Sequence, residues 1–182
     1  MATNDATFTV PGLSVEDGHR VGDLLQIRLH ALNDLQLTLK HAHWNVIGRD
    51  FIGVHEMLDP QIELVRGFVD DLAERMAALG VPPNGLPGDL VARRTWQDYS
   101  IGRASTVEHL AALDLVYNGV IEDHRKDIAI LDDLDLVTQD MLIGQVQALE
   151  KFQWFIRAHL ENTGGGLRHE GATSEKEAAA KA

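Results

Sequence analysis

The chain contains no cysteine. That excludes a disulfide framework, a thiolate zinc site, an iron–sulfur cluster and a thiol nucleophile. Proline stops early: after Pro11, Pro60, Pro82, Pro83 and Pro87 there is none, so the second half of the chain has no proline to break a helix. Lys and Arg are missing before Arg20 and no apolar run stands there, so the first residues do not read as a signal peptide. Nowhere do ~18 uncharged apolar residues run together, so no membrane span is expected and the expected compartment is the cytoplasm. Positive charge is scarce throughout: 16 Lys and Arg against 28 Asp and Glu leave a formal charge of −12. Such a balance opposes a surface built to hold phosphate backbones. It suits a protein that gathers cations, and equally one that is acidic only for solubility.

What the sequence does have is length for one domain, 182 residues with 45% hydrophobic content, and strong helical periodicity. Ser14 with Asp17 predicts a capped helix start. Val21, Leu25, Leu29, Leu32, Leu39 and His43 then recur on one stripe up to Gly48. A second stripe (Val54, Leu58, Ile62, Val65, Val69, Leu72, Met76, Leu79) ends at Gly80. From Val81 to about Arg103 the chain is rich in breakers and reads as a long crossover with one short helix near Gly88–Arg94. A third stripe runs from Val107 to Leu131. An acidic corner follows, with Thr138 as the expected cap of a fourth helix whose stripe reaches Leu160. No strand alternation stands out. The expected fold is all-α, a four-helix bundle with ferritin-like connectivity. Residues 1–13 form an N-terminal extension, 14–163 the bundle, and the polar, Ala-rich 164–182 a flexible C-terminal tail that packs little.

Nine histidines raise the question of a metal. A di-iron centre inside a bundle needs two E-x-x-H pairs and two further glutamates. Only Glu16–His19 has that spacing, at the frayed start of the first helix, so the ordinary intra-bundle centre is disfavoured. His43 lies on the apolar stripe, whereas His41, about 200° round the helix, faces elsewhere. On the second helix His55, Asp59, Asp70 and Glu74 share a wedge of roughly 100°. Alone, Asp70–Glu74 reads as a solvated helix face. Together with two interior imidazoles the set suits a divalent transition metal such as Fe(II). His55 and Asp70 would stand ~22 Å apart on one continuous helix, too far to share an ion, so a single site would need two chains paired antiparallel about a two-fold axis. Pro60 bears on this directly: a kink there preserves the two-chain reading, and a full break would let one chain fold back.

The run Lys40-His41-Ala42-His43-Trp44-Asn45-Val46-Ile47-Gly48, then Phe51, His55-Glu56, Asp59 and Asp70-Asp71-Leu72-Ala73-Glu74-Arg75, resembles the Dps proteins of the ferritin superfamily. The likeness covers about Leu24 to Glu161, including Leu149-Glu150-Lys151-Phe152-Gln153-Trp154-Phe155. The resemblance implies a hollow dodecamer with ferroxidase centres at its two-fold interfaces. His43 and His55 of one subunit and Asp70 and Glu74 of its partner would bind iron, two ions per centre. Asp59 would assist the second iron or orient a ligand. Peroxide, in preference to dioxygen, would take two electrons from a pair of Fe(II), and the Fe(III) would mineralise inside. Trp44, beside His43, reads either as a quencher of stray oxidising equivalents or as a subunit contact. By the same resemblance Asp135 and Asp140, in the acidic corner with Asp132 and Asp133, line a three-fold iron entrance, although such a charge run also reads as a solvated loop.

Two other functions use the same residues. One is a structural nucleoid protein with a secondary metal site, whose mark would be a basic extension. The other is a hydrolase with Zn(II) at the His/carboxylate site, which would need an open coordination position and a cleft. In the last residues Arg168, Lys176 and Lys181 are cancelled by Glu170, Glu175 and Glu177. Weak or absent direct DNA binding is therefore expected, with the nucleoid the alternative location to the open cytoplasm.

Overall fold

The computed structural model describes residues 6–182. Four long helices are present: α1 (Val15–Asn45), α2 (Phe51–Ala78), α4 (Thr106–Leu131) and α5 (Leu136–Leu160). The short α3 (Pro87–Arg93) lies in the crossover, within a residue of its expected place. Among the described residues no helix is long and apolar enough to cross a membrane.

Local chemistry sets the helix ends. Ser14 accepts from the Asp17 N–H at 3.0 Å to start α1. Ser105 and Glu108 close a reciprocal capping box on α4. At the end of α2, Gly80 takes φ +82°, and the Val81 and Gly80 N–H groups return to Met76 and Ala77 carbonyls at 2.9 and 3.0 Å. A Cβ on Gly80 would also meet the Phe8 carbonyl oxygen at 2.3 Å, so the position is closed to other residues twice over. Pro60 does not break α2. Both it and Glu56, whose carbonyl loses its partner, are exposed, so water can serve the freed oxygen. The second helix is therefore one continuous rod.

α1 packs on α2 and α4 on α5. All six residues of the first stripe, Val21 to His43, are buried. The five apolar ones meet Leu58, Val65 and Leu72 of α2, Leu110, Leu113 and Tyr117 of α4, and Leu149 and Ile156 of α5 in one core. Tyr117 Oη donates to Gln61 Oε1 at 2.7 Å, a hydrogen bond between two fully buried side chains across α2 and α4.

Three features differ from the sequence expectation. Two-residue strands, β1 (Val46–Ile47) and β2 (Ala104–Ser105), pair in parallel. They clasp the end of α1 to the start of α4, and are too short for any alternation to be visible. The fourth helix is capped by Asp135, not Thr138. The Asp135 carboxylate accepts from the Val137 N–H at 3.3 Å and from the Thr138 hydroxyl, while Thr138 is buried in the first turn.

The last segment also packs, contrary to the mobile tail expected. Its short helix α6 (Glu175–Lys181) lies on α4 with Ala178 wholly buried. His169, 3% exposed, donates from Nε2 to Asp114 Oδ2 at 3.0 Å, and Arg157 and Gln153 hold Oδ1 at 2.7 and 2.9 Å. The tail composition is polar, but a small alanine contact and one buried ion pair suffice to seat it.

Buried His124 of α4 donates from Nδ1 to the Val120 carbonyl oxygen at 2.8 Å. Burial, and after it the Arg28 guanidinium, push its pKa down to about 4. The unfolded chain, with a pKa near ~6.5, takes up the proton first, so stability is lost as pH falls from about 6.5 toward 4. The shift is worth at most ~3 kcal/mol per chain. The fall in thermal midpoint across that window should accordingly be smaller in His124→Leu than in the wild type. Equal slopes would show that His124 does not contribute.

Candidate metal centre

His43 leaves the last turn of α1 on the buried stripe, and His55 leaves the first turn of α2 beside it. The imidazoles stack with centroids 3.6 Å apart and planes 23° from parallel. Their hydrogen bonds are reciprocal. His43 Nδ1 donates to the His55 carbonyl oxygen and His55 Nδ1 to that of His43, each at 2.9 Å. Each ring is thus fixed in one tautomer with Nδ1 protonated, so each Nε2 offers its lone pair. Phe51, 4.9 Å from the His55 ring, packs against it. The Gly48 turn, at φ +112°, lets the chain reverse tightly enough to bring the two histidines together.

Asp59 is also here, on the same Nδ1 edge of His43 that meets the His55 carbonyl. Its Oδ1 lies 3.4 Å from His43 Nδ1 and 2.9 Å from Lys40 Nζ. The Lys40 hydrogen bond, against a little desolvation and with help from His43 and His55, holds the Asp59 carboxyl below its ordinary value. Of the two roles implied for Asp59, this position suits orienting His43. Lys40 was not legible as part of the site, because nineteen residues and a helix reversal separate it from Asp59. His41 faces away, as expected, and donates from Nε2 to the Ile101 carbonyl oxygen at 3.0 Å.

Asp70 and Glu74 are exposed, one turn apart on the same unbroken α2. The structure does not bring them to the histidines: fifteen helical residues from His55 amount to ~22 Å. Among the described residues of one chain, no three His, Cys, Asp or Glu come together as a metal site. The two imidazoles instead meet where α1 ends and α2 begins, and the carboxylates stand toward the far end of α2. Beside the two histidines in sequence, two large apolar side chains face solvent, Trp44 at 71% and Ile52 at 58% exposure.

In the acidic corner, Asp135 is not a free carboxylate. Besides its capping bonds it receives Arg75 Nη2 at 2.5 Å. Burial raises its pKa, but the Thr138 and Arg75 hydrogen bonds outweigh this and hold it below the ordinary value. Asp132, Asp133 and Asp140 remain exposed to solvent. Arg75 follows Glu74 directly, so it ties the far end of α2 to the start of α5.

The chain matches the ferritin-like domain model over residues 22–164. It is 62% identical over 176 residues to the DNA protection during starvation protein of Mycolicibacterium smegmatis, covering 97% of this chain and 96% of that one. The solved structure of Mycobacterium smegmatis Dps superposes with a TM-score of 0.91 at 63% identity, covering 93% of this chain and 97% of the other. DpsA14 from Streptomyces coelicolor superposes at 0.87 with 57% identity, covering 90% and 98%.

Proposed function

Since the chain belongs to the Dps family of ferritin-like proteins, we propose that it oxidises Fe(II) with peroxide and stores the ferric product. The observation that carries this is the reciprocal His43–His55 lock, which fixes both rings with centroids 3.6 Å apart and leaves each Nε2 lone pair unused. The carboxylates that complete a mixed nitrogen–oxygen ligand set are Asp70 and Glu74 of a second copy, paired antiparallel along α2 through the Trp44 and Ile52 face. Twelve copies forming a hollow shell, with Asp132, Asp133 and Asp140 attracting cations at its openings, complete the reading.

The chemistry requires iron in pairs. Two Fe(II) give one electron each to peroxide, the O–O bond breaks, and both oxygens leave at the level of water. With hydrolysis, two Fe(II), one peroxide and two waters yield two FeOOH and four protons. A lone Fe(II) supplies only one electron and releases hydroxyl radical. Anaerobic titration in a pH-stat should consume two Fe(II) per peroxide, release two protons per iron and yield no spin-trapped radical. One Fe(II) per peroxide with radical adducts would refute the paired site.

The relatives are named for protecting DNA during starvation. For this chain protection by removing iron and peroxide is favoured over tight coating of DNA. Twelve chains at −12 carry about −144 in formal charge, which repels phosphate. Lys181 is 2.9 Å from Glu177, which cancels its charge locally.

A further inference from the structure

Away from the histidines, α1, α4, the end of the crossover and the start of α6 enclose a cavity of about 420 Å³. That is the size of pockets that hold small organic molecules. Leu35, Val116, Trp96 and Tyr99 give it an apolar and aromatic interior. Its charge is one-sided, with Arg28 the single cation against Asp34, Asp98, Asp123 and Glu175.

Arg28 is already committed. Its Nε is 2.9 Å from Asp127 and its Nη2 3.7 Å from Asp123. The carboxylates keep unspent capacity. Asp34 accepts from Trp96 Nε1 at 2.5 Å, but Arg94 lies 3.8 Å away and is drawn to Asp98 at 2.6 Å. Burial holds the Asp34 carboxyl above its ordinary value, so its negative charge is under-compensated. Glu175 uses Oε2 for both the Ser100 N–H at 2.6 Å and hydroxyl at 2.7 Å, which leaves Oε1 open.

We propose that this cavity binds a protonated organic amine with a compact aromatic or aliphatic body. The ammonium lies against the Asp34 and Glu175 carboxylates that line the cavity, and the body fills the apolar interior. An acceptor atom on the ligand would also serve Arg28 Nη1, which is buried without a partner. Because Thr173, Ser174 and Glu175 form part of the wall, an occupied cavity favours the docked state of the C-terminal segment.

The test is calorimetric titration of the full, assembled protein with 3-phenylpropylamine, 3-phenylpropanol and 3-phenylpropionate. The amine should bind saturably, about one per chain, and at least about tenfold more tightly than the anion. Asp34→Asn and Glu175→Gln should each weaken it about fivefold or more, and Val116→Trp should abolish it by filling the space. Shell size and thermal midpoint, measured alongside, show that each variant is folded. Hydrogen exchange of residues 173–181 should slow on binding. Equal affinity for amine and anion, affinity unchanged in the folded variants, or no saturation below about 10 mM would each overturn the proposal. The last would be seen if a neighbouring subunit already covered the cavity.

Discussion

Shells made of His43→Ala chains should oxidise Fe(II) with peroxide about a hundredfold more slowly than wild type, while retaining their size. Even partners that merely orient a metal ligand are worth about 10–100-fold, and the proposed function makes His43 a ligand itself. Two losses combine in this variant. One Nε2 disappears, and the His55 ring, although its own Nδ1–H still reaches the residue-43 carbonyl, loses the imidazole stacked against it. Asp70→Ala should be comparably slow although its position lies ~22 Å along the helix from His55.

Mixing the two inactive variants separates a shared site from one built within a chain. In a mixed pair, one site combines both defects and the other combines both intact halves. Half of randomly formed pairs are mixed, so about a quarter of the wild-type sites should return. A single-chain site would recover nothing. Unchanged oxidation in either variant would remove these residues from the centre, and full activity with no dependence on mixing would remove the pairing.

Asp114→Ala is expected to be the most damaging single change to stability. Its carboxylate is 1% exposed and is held by His169, Arg157 and Gln153. Deleting it leaves the buried His169 Nε2 without an acceptor and takes one of two acceptors from Gln153 and from Arg157, which keep Asn118, a defect worth about 3–5 kcal/mol per chain. The thermal midpoint should fall by roughly 10 °C. His169→Ala isolates one part of this. It should leave Arg157 and Gln153 satisfied and lower the midpoint much less, while exposing the peptide bond after Arg168 to trypsin. A C-terminal segment still protected in His169→Ala would mean that the Ala178 contact alone holds it.

The long helices were readable because burial on a helix repeats every three or four residues, so Leu25, Leu58, Leu113 and Leu149 announce their faces locally. His43 was readable for the same reason, as a polar residue on an apolar stripe. The misplaced features each depend on a distant partner. Asp135 and Thr138 both satisfy the rules for a helix cap. The choice falls to Asp135, which also meets Arg75 from the end of α2. His169 lies 55 residues from Asp114, and no local composition reveals that the pair meets. The strand clasp fails to show for the opposite reason, since two residues cannot display a period of two.

The seated C-terminal segment also changes its reach. As a free coil, residues 167–182 would sample a sphere roughly 22 Å in radius. Folded onto α4, Lys176 and Lys181 sweep almost none of that volume. Their effective concentration toward any polyanion beyond arm's length is correspondingly near zero until the Asp114 anchor is released. A peptide fused after Ala182 would, by the same geometry, start from a fixed point on α4 and need a linker of its own to gain range.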